Sequence, residues 1–212
     1  MVQNLYQKWD YLSRYNQWIA WNLFLAFIPL VISFYLFRRP STQRSPLWWI
    51  GLAVYIAFLP NAPYVLTDII HLIQATWSTP SLWVVTFFYI PLHLGAIFVA
   101  FEAYVVSLIN QSSYLRRIGL KQYIFRAELL THSLCAIGIY LGRFLRLNSW
   151  DIVTAPKNVI VVTLNELTGK GPLAVMFVTA IILTILYWIM KQVTIGILLR
   201  IREWRNDSHY FD

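Results

Sequence analysis

The sequence predicts an all-α protein: a polytopic transmembrane helical bundle of about five spanning helices, with short interfacial helices. Three observations carry that expectation. Hydrophobic residues make up 58% of the chain and charged residues only 12%, with a mean hydropathy of +0.57. A soluble domain is about one-quarter charged and needs that charge to cover its surface. Five long apolar runs divide the 212 residues. Aromatic residues reach 17%, among them ten Trp and thirteen Tyr, residue types that gather at the headgroup level of a bilayer.

The first run, Trp18 to Phe37, is about 20 residues long, enough to cross a hydrocarbon core of about 30 Å. Arg38, Arg39 and Arg44 follow in a loop with Pro40 and Pro46. The second run, Leu47 to Leu59, is stopped by Pro60, which lacks a backbone donor and is expected to break the helix. At about 13 residues it is short, so the loop before it or the segment after Pro60 must help it across, and residues 60–81 could hold a re-entrant or extra helix. The third run, Leu82 to Ile109, contains Pro91, His93, Gly95 and Glu102. The fourth, Ala127 to Leu147, contains Glu128 and His132 and ends in Arg143 and Arg146. The fifth spans Pro172 to Leu199. Residues 155–170 are expected to form an interfacial helix or a strand-like loop on the outer surface. The organisation is an N-terminal interfacial segment (1–17), a single integral membrane domain (18–199) and a basic cytoplasmic tail (200–212). Met1 to Gln17 has no apolar core of a cleavable signal peptide.

Charge bias orients the chain. Arg38, Arg39, Arg44, Arg116, Arg117, Lys121, Arg126, Lys191, Arg200, Arg202 and Arg205, eleven of the seventeen basic residues, fall on one side, and Lys8, Arg14, Arg143, Arg146, Lys157 and Lys170 on the other. The positive-inside rule then puts the N-terminus outside and the C-terminus inside. The net charge of +8 sits in short runs between apolar segments, which argues against nucleic acid. Cys135, the single cysteine, can form no intrachain disulfide and is expected to be a small buried hydrophobe. No phosphate loop, GxSxG, HExxH or CxxC pattern is present, and neither a cofactor nor a metal is expected.

Two polar runs interrupt the apolar pattern, and this threading brings both to the outer face. In LPNAPYVLTDIIHL (Leu59 to Leu72), Asp68 and His71 are three apart and share a helical face. They suit a base oriented by a carboxylate, or two metal ligands; equally, Asp68 could cap a helix start with His71 at the headgroups. In GRFLRLNSWD (Gly142 to Asp151), Arg143 and Arg146 are also three apart and are expected on one helical face. Two guanidinium groups at an outer helix end could grip a phosphate or carboxylate, pair with Asp68 or Asp151, or snorkel. On the fourth helix, Glu128, His132, Cys135, Ile139, Arg143 and Arg146 form one stripe, expected to face the bundle interior because ionisable groups are costly in lipid. On the third, His93 lies near mid-depth and Glu102 nearer the cytoplasm, where it could meet His132 or Arg126, for proton handling or as interhelical glue.

Three segments together, WNLFLAFIPLVISF (Trp21 to Phe34), FLPNAPYVLTDIIHL (Phe58 to Leu72) and GIYLGRFLRLNSWDIV (Gly138 to Val153), closely resemble the bacterial membrane proteins of domain-of-unknown-function family 1361. The resemblance spans roughly Trp18 to Leu199. Its motif positions here are Asn61, Pro63, Tyr64, Thr67, Asp68, His71, Gly142, Arg143, Arg146, Asn148, Ser149, Trp150 and Asp151, with no departure among them. It implies a multi-pass protein of a bacterial cytoplasmic membrane and brings no activity with it.

The expected site joins Asn61, Asp68 and His71 to Arg143, Arg146 and Asp151, with His93, Glu102, Glu128 and His132 as intramembrane polar groups. The leading functional expectation is binding or transport of an anionic or lipid-derived ligand in an extracytoplasmic polar pocket, with membrane lipids as the surrounding partners. The alternatives are a membrane-embedded enzyme at the outer leaflet, with His71 as base, and a structural subunit without a ligand.

Overall fold

The computed structural model describes residues 2–39, 44–78 and 81–208, with side chains from Gln17 to Asn206 apart from Ala75, Ser78 and Val153. The side chains of Lys8 and Arg14, and the tail beyond Ser208, lie outside the described residues. Helices α1 (Val2–Phe37), α2 (Pro46–Phe58), α3 (Asn61–Tyr64) and α4 (Ile69–Ser78) are followed by α5 (Leu82–Val84), α6 (Ile90–Arg117) and α7 (Ile124–Phe144). Two short helices, α8 (Asp151–Thr154) and α9 (Pro156–Thr168), precede the long α10 (Lys170–Ser208). There is no strand among the described residues. Five stretches are long and apolar enough to cross a membrane: Gln17–Phe37, Pro46–Gln74, Leu82–Arg117, Lys121–Phe144 and Lys170–Asn206. This is the architecture of a multi-pass membrane protein.

Helix α2 ends at Phe58, just before Pro60 as expected, yet the chain keeps a helical course through the proline. Its backbone stays helical (φ −58°, ψ −24°), α3 follows at once, and a 3₁₀ turn over Val65–Asp68 leads into α4. A proline ring fixes φ near the helical value, so only the missing N–H has to be accommodated. Here one tighter turn follows, with Ala62 N–H donating to Leu59 O at 3.2 Å, and α-helical bonding resumes with Tyr64 N–H donating to Pro60 O at 3.0 Å. The third span solves the same problem at Pro91 with a π turn over Val85–Tyr89 directly before α6.

The fourth span also ends earlier than its apolar run. Helix α7 stops at Phe144, and Arg146 adopts a left-handed φ of 57°. The Leu147 N–H returns to Leu141 O at 3.2 Å, closing the helix. Arg143 and Arg146 therefore do not share a helical face, which corrects the expectation from their spacing. Residues 156–168 are a helix, α9, not a strand-like loop.

Helix α6 runs through the centre, with α1, α3, α7 and α10 packed around it. Its inward residues, Tyr104 and Leu108 among them, meet Tyr55, Leu59, Leu183 and Tyr187 in one core. Large apolar side chains elsewhere turn outwards, such as Val31, Phe98 and Phe177, as lipid contact requires. At the basic end, the Arg117 guanidinium donates to the carbonyls of Phe37 and Arg39, and Arg38 Nε donates to Asn110 Oδ1 at 2.7 Å. Arg117 thereby satisfies free carbonyls at the end of α1, where the helix dipole also favours a cation.

Candidate functional site

The two polar runs converge. Asn61 Nδ2 donates to Ser149 Oγ at 2.8 Å and to Phe58 O at 2.9 Å. Glycine makes the approach possible: a Cβ on Gly138 would lie 2.6 Å from the Pro60 ring, and one on Gly142 would lie 3.3 Å from the Tyr64 ring. Gly138 and Gly142 are four apart, the small-residue spacing that lets helices meet closely in a membrane, so this face of α7 seats α3.

Asp68, 2% exposed, points into the bundle rather than to an arginine. Its Oδ2 accepts from Asn22 Nδ2 of α1 at 2.9 Å, and its Oδ1 meets no donor among the described residues. Ion pairs within 4.0 Å among the described residues are Lys191–Glu128 and Arg200–Glu203, so Arg143 and Arg146 pair with neither Asp68 nor Asp151. Arg143 Nη1 instead faces His71 Nε2 at 3.4 Å. A guanidinium only donates, so Nε2 is the acceptor and its lone pair is engaged. The Trp18 ring packs edge-on against the imidazole, centroids 4.4 Å apart. Asp151 is turned to its own loop, where Oδ2 accepts from the Asn148 N–H at 2.6 Å. No three of His, Cys, Asp or Glu among the described residues gather to hold a metal ion.

Below these residues lies a cavity of about 470 Å³ between α1, the α2–α3 junction, α7 and the α8–α9 segment. Trp18, Trp21, Ile56 and Leu134 contribute apolar wall, while Asn22, Asn61, Arg146, Asn148 and Ser149 contribute polar groups. The volume is in the range of sites for drug-sized ligands. Arg146 is exposed and has no hydrogen bond or ion pair to the described residues. The cavity takes in Asn61 and Arg146 of the expected set but is not lined by Asp68, His71, Arg143 or Asp151. Asn22 and Trp18 were not singled out by the sequence reading. An amide inside the apolar run WNLFLAF was the available signal, since polar groups in a span ordinarily have a partner.

A family model described as "protein of unknown function (DUF1361)" matches residues 21–185. The chain belongs to that family. No curated protein and no solved structure matches it.

Deeper in this DUF1361 protein, the α7 stripe turns inward as its spacing predicts, with His132, Cys135 and Ile139 all buried. His132 Nδ1 and Tyr104 OH are 2.5 Å apart, and His93 is buried beside the π turn. Glu128 Oε1 collects Lys191 Nζ at 2.5 Å, Tyr187 OH at 2.7 Å and Ser112 Oγ at 2.8 Å. Glu102 meets neither His132 nor Arg126; its Oε1 is 2.8 Å from Thr194 Oγ1 on α10. The correction has a simple cause. Tyr187, Lys191 and Thr194 lie at successive turns of α10, and this single face supplies partners to both intramembrane glutamates.

Proposed function

We propose that this DUF1361 protein is a multi-pass protein of a bacterial cytoplasmic membrane, with its N-terminus outside and its C-terminus inside, that binds an anionic, lipid-derived ligand in the outer cavity. The observation that carries the proposal is Arg146, a guanidinium with no partner among the described residues, held in a left-handed backbone conformation at a cavity with apolar walls. A guanidinium grips a phosphate through paired N–H donors, and the apolar walls suit the chain of an amphiphile. Binding is favoured over passage because Tyr55, Leu59, Tyr104 and Leu108, each 2% exposed or less, fill the bundle centre. The enzyme reading has less support, since its base, His71, has Nε2 facing the Arg143 guanidinium at 3.4 Å. The orientation is supported by the eleven basic residues on the inner side.

The test uses the full chain in lipid nanodiscs, with phosphatidylglycerol and phosphatidylcholine as probes and native mass spectrometry as the readout. Retained phosphatidylglycerol is expected to fall by about tenfold or more in Arg146→Ala, the loss of one charge-assisted contact, with Arg146→Lys intermediate. Equal retention of both lipids by the wild type, or no change in Arg146→Ala, refutes the assignment. Labelling of single cysteines at Thr67 and Ser149 from outside intact cells tests the orientation.

A further inference from the structure

The polar wall of the outer cavity presents more than a cation. Asn22, Asn61, Asn148 and Ser149 line it together with Arg146. The hydrogens these side chains own, and those they have already spent, decide what kind of headgroup they suit.

Asn61 spends both amide hydrogens within the fold, one on Phe58 O at 2.9 Å and one on Ser149 Oγ at 2.8 Å. A backbone carbonyl only accepts, so the amide nitrogen belongs on that side and Oδ1 is left over. Asn22 Nδ2 donates to Asp68 Oδ2 at 2.9 Å, which leaves its Oδ1 over in the same manner. Neither amide oxygen meets a donor among the described residues, and neither is sealed as Asp68 Oδ1 and Glu102 Oε2 are. Ser149 accepts from Asn61, and its own hydroxyl hydrogen has no acceptor among the described residues. The exposed Asn148 amide, a donor and an acceptor at once, has no partner among them either.

This mixture excludes the simplest headgroups. A phosphodiester answers Arg146 and the Ser149 hydroxyl but brings only acceptors, so the amide oxygens of Asn22 and Asn61 stay unanswered. An ammonium headgroup brings donors but cannot accept from Ser149 or Asn148. It would also sit beside Arg146 with no acidic side chain in the described cavity wall to offset the like charge. A hydroxyl both gives and takes a hydrogen.

We propose that the outer cavity selects a polyhydroxylated headgroup: the glycerol, inositol or sugar phosphate of an anionic lipid. The phosphate lies on Arg146, and the hydroxyls lie on Ser149 and the amides of Asn22, Asn61 and Asn148. This inference rests on the reading of the cavity as an anionic-lipid site and adds what the headgroup must carry. The charge supplies attraction. The hydroxyls supply selection, because polar groups left unmatched in a bound complex cost affinity.

The experiment uses the full chain in phosphatidylcholine nanodiscs doped equally with phosphatidylglycerol, phosphatidylinositol, phosphatidylethanol and phosphatidylethanolamine. Native mass spectrometry reads the lipid retained. Phosphatidylethanol carries the phosphodiester charge of phosphatidylglycerol but no hydroxyl. Phosphatidylglycerol and phosphatidylinositol are expected to be retained about threefold to tenfold over phosphatidylethanol, the worth of one net hydrogen bond, and over phosphatidylethanolamine by at least as much. Either order between the two hydroxylated lipids supports the proposal, and the order tells glycerol from a ring. Phosphatidylethanol retained as well as phosphatidylglycerol, with both above phosphatidylcholine, overturns this proposal and leaves the anionic-lipid reading standing. Phosphatidylethanolamine equal to phosphatidylglycerol overturns it too. If neither phosphatidylglycerol nor phosphatidylethanol exceeds phosphatidylcholine, the anionic-lipid reading falls and this one with it. Asn148→Ala and Asn61→Ala are each expected to narrow the gap between phosphatidylglycerol and phosphatidylethanol. A gap left unchanged by every variant that folds overturns the assignment to this cavity. The Asn148 side chain bonds to none of the described residues, so that variant reads out even where Asn61→Ala is unstable.

Discussion

The contact between α7 and α3 makes a graded prediction. A methyl group placed on Gly138 would sit 2.6 and 2.7 Å from two carbons of the Pro60 ring, whereas non-bonded carbons rest about 3.5–4.0 Å apart. The overlap is about 1 Å, and a proline ring at a helix junction has no rotamer by which to retreat. Overpacking of this kind costs about 1–3 kcal/mol, against a gain of up to about 1 kcal/mol from replacing glycine in a helix. At Gly142 the new methyl group would meet a Tyr64 ring carbon at 3.3 Å, which a small ring displacement relieves. Gly138→Ala is therefore expected to destabilise by roughly 0–2 kcal/mol net, and Gly142→Ala to be neutral or slightly stabilising. Thermal unfolding of both variants in one detergent, followed by intrinsic Trp fluorescence, compares them directly. Should Gly138→Ala melt at or above Gly142→Ala, the close seating of α3 on α7 is wrong.

Other substitutions read the remaining contacts. Arg146→Gly is expected to stabilise the fold by about 1 kcal/mol, because it relieves a left-handed side chain, while weakening phosphatidylglycerol retention. Opposite signs from thermal unfolding and native mass spectrometry would mark strain kept for binding, and a destabilised Arg146→Gly would argue against it. Asn22→Ala leaves the buried Asp68 without its donor and is expected to cost about 1–3 kcal/mol. The same change made in an Asp68→Ala background should cost less, and equal costs in a double-mutant cycle would show that the pair is not coupled. Lys191→Met strands Glu128 in the bundle and is expected to cost about 3–5 kcal/mol. Adding Glu128→Gln should recover part of that loss in the same unfolding assay.

The five spans were legible because apolar length is a one-dimensional property, and lipid leaves a helix no alternative way to satisfy its backbone. Helix ends were less so. Leu145 and Leu147 continue the apolar run past Phe144, and hydrophobicity says nothing about the left-handed turn at Arg146. Pro60 reads as a breaker from its chemistry, although a ring already at helical φ needs only a few shorter-range bonds around it. The meeting of the two polar runs followed from threading alone, but the partners within it did not. Asp68 chose an amide on α1 over the arginines, and Glu102 chose a hydroxyl on α10 over His132. Such choices depend on which helix lies beside which. The Gly138 and Gly142 spacing carried part of that information, since small residues four apart mark where another backbone approaches.

The face of α10 that bears Tyr187, Lys191 and Thr194 has a consequence for how the protein is made. A ribosome releases α6 and α7 well before α10, so both glutamates enter the bilayer ahead of the groups that will answer them. Until the final fifth of the chain is threaded, the nascent bundle holds Glu102 without Thr194, and Glu128 with Ser112 but without Tyr187 and Lys191. A chain truncated before Lys170 is thus a natural target for membrane quality-control proteases, and the last helix acts as the latch that completes assembly.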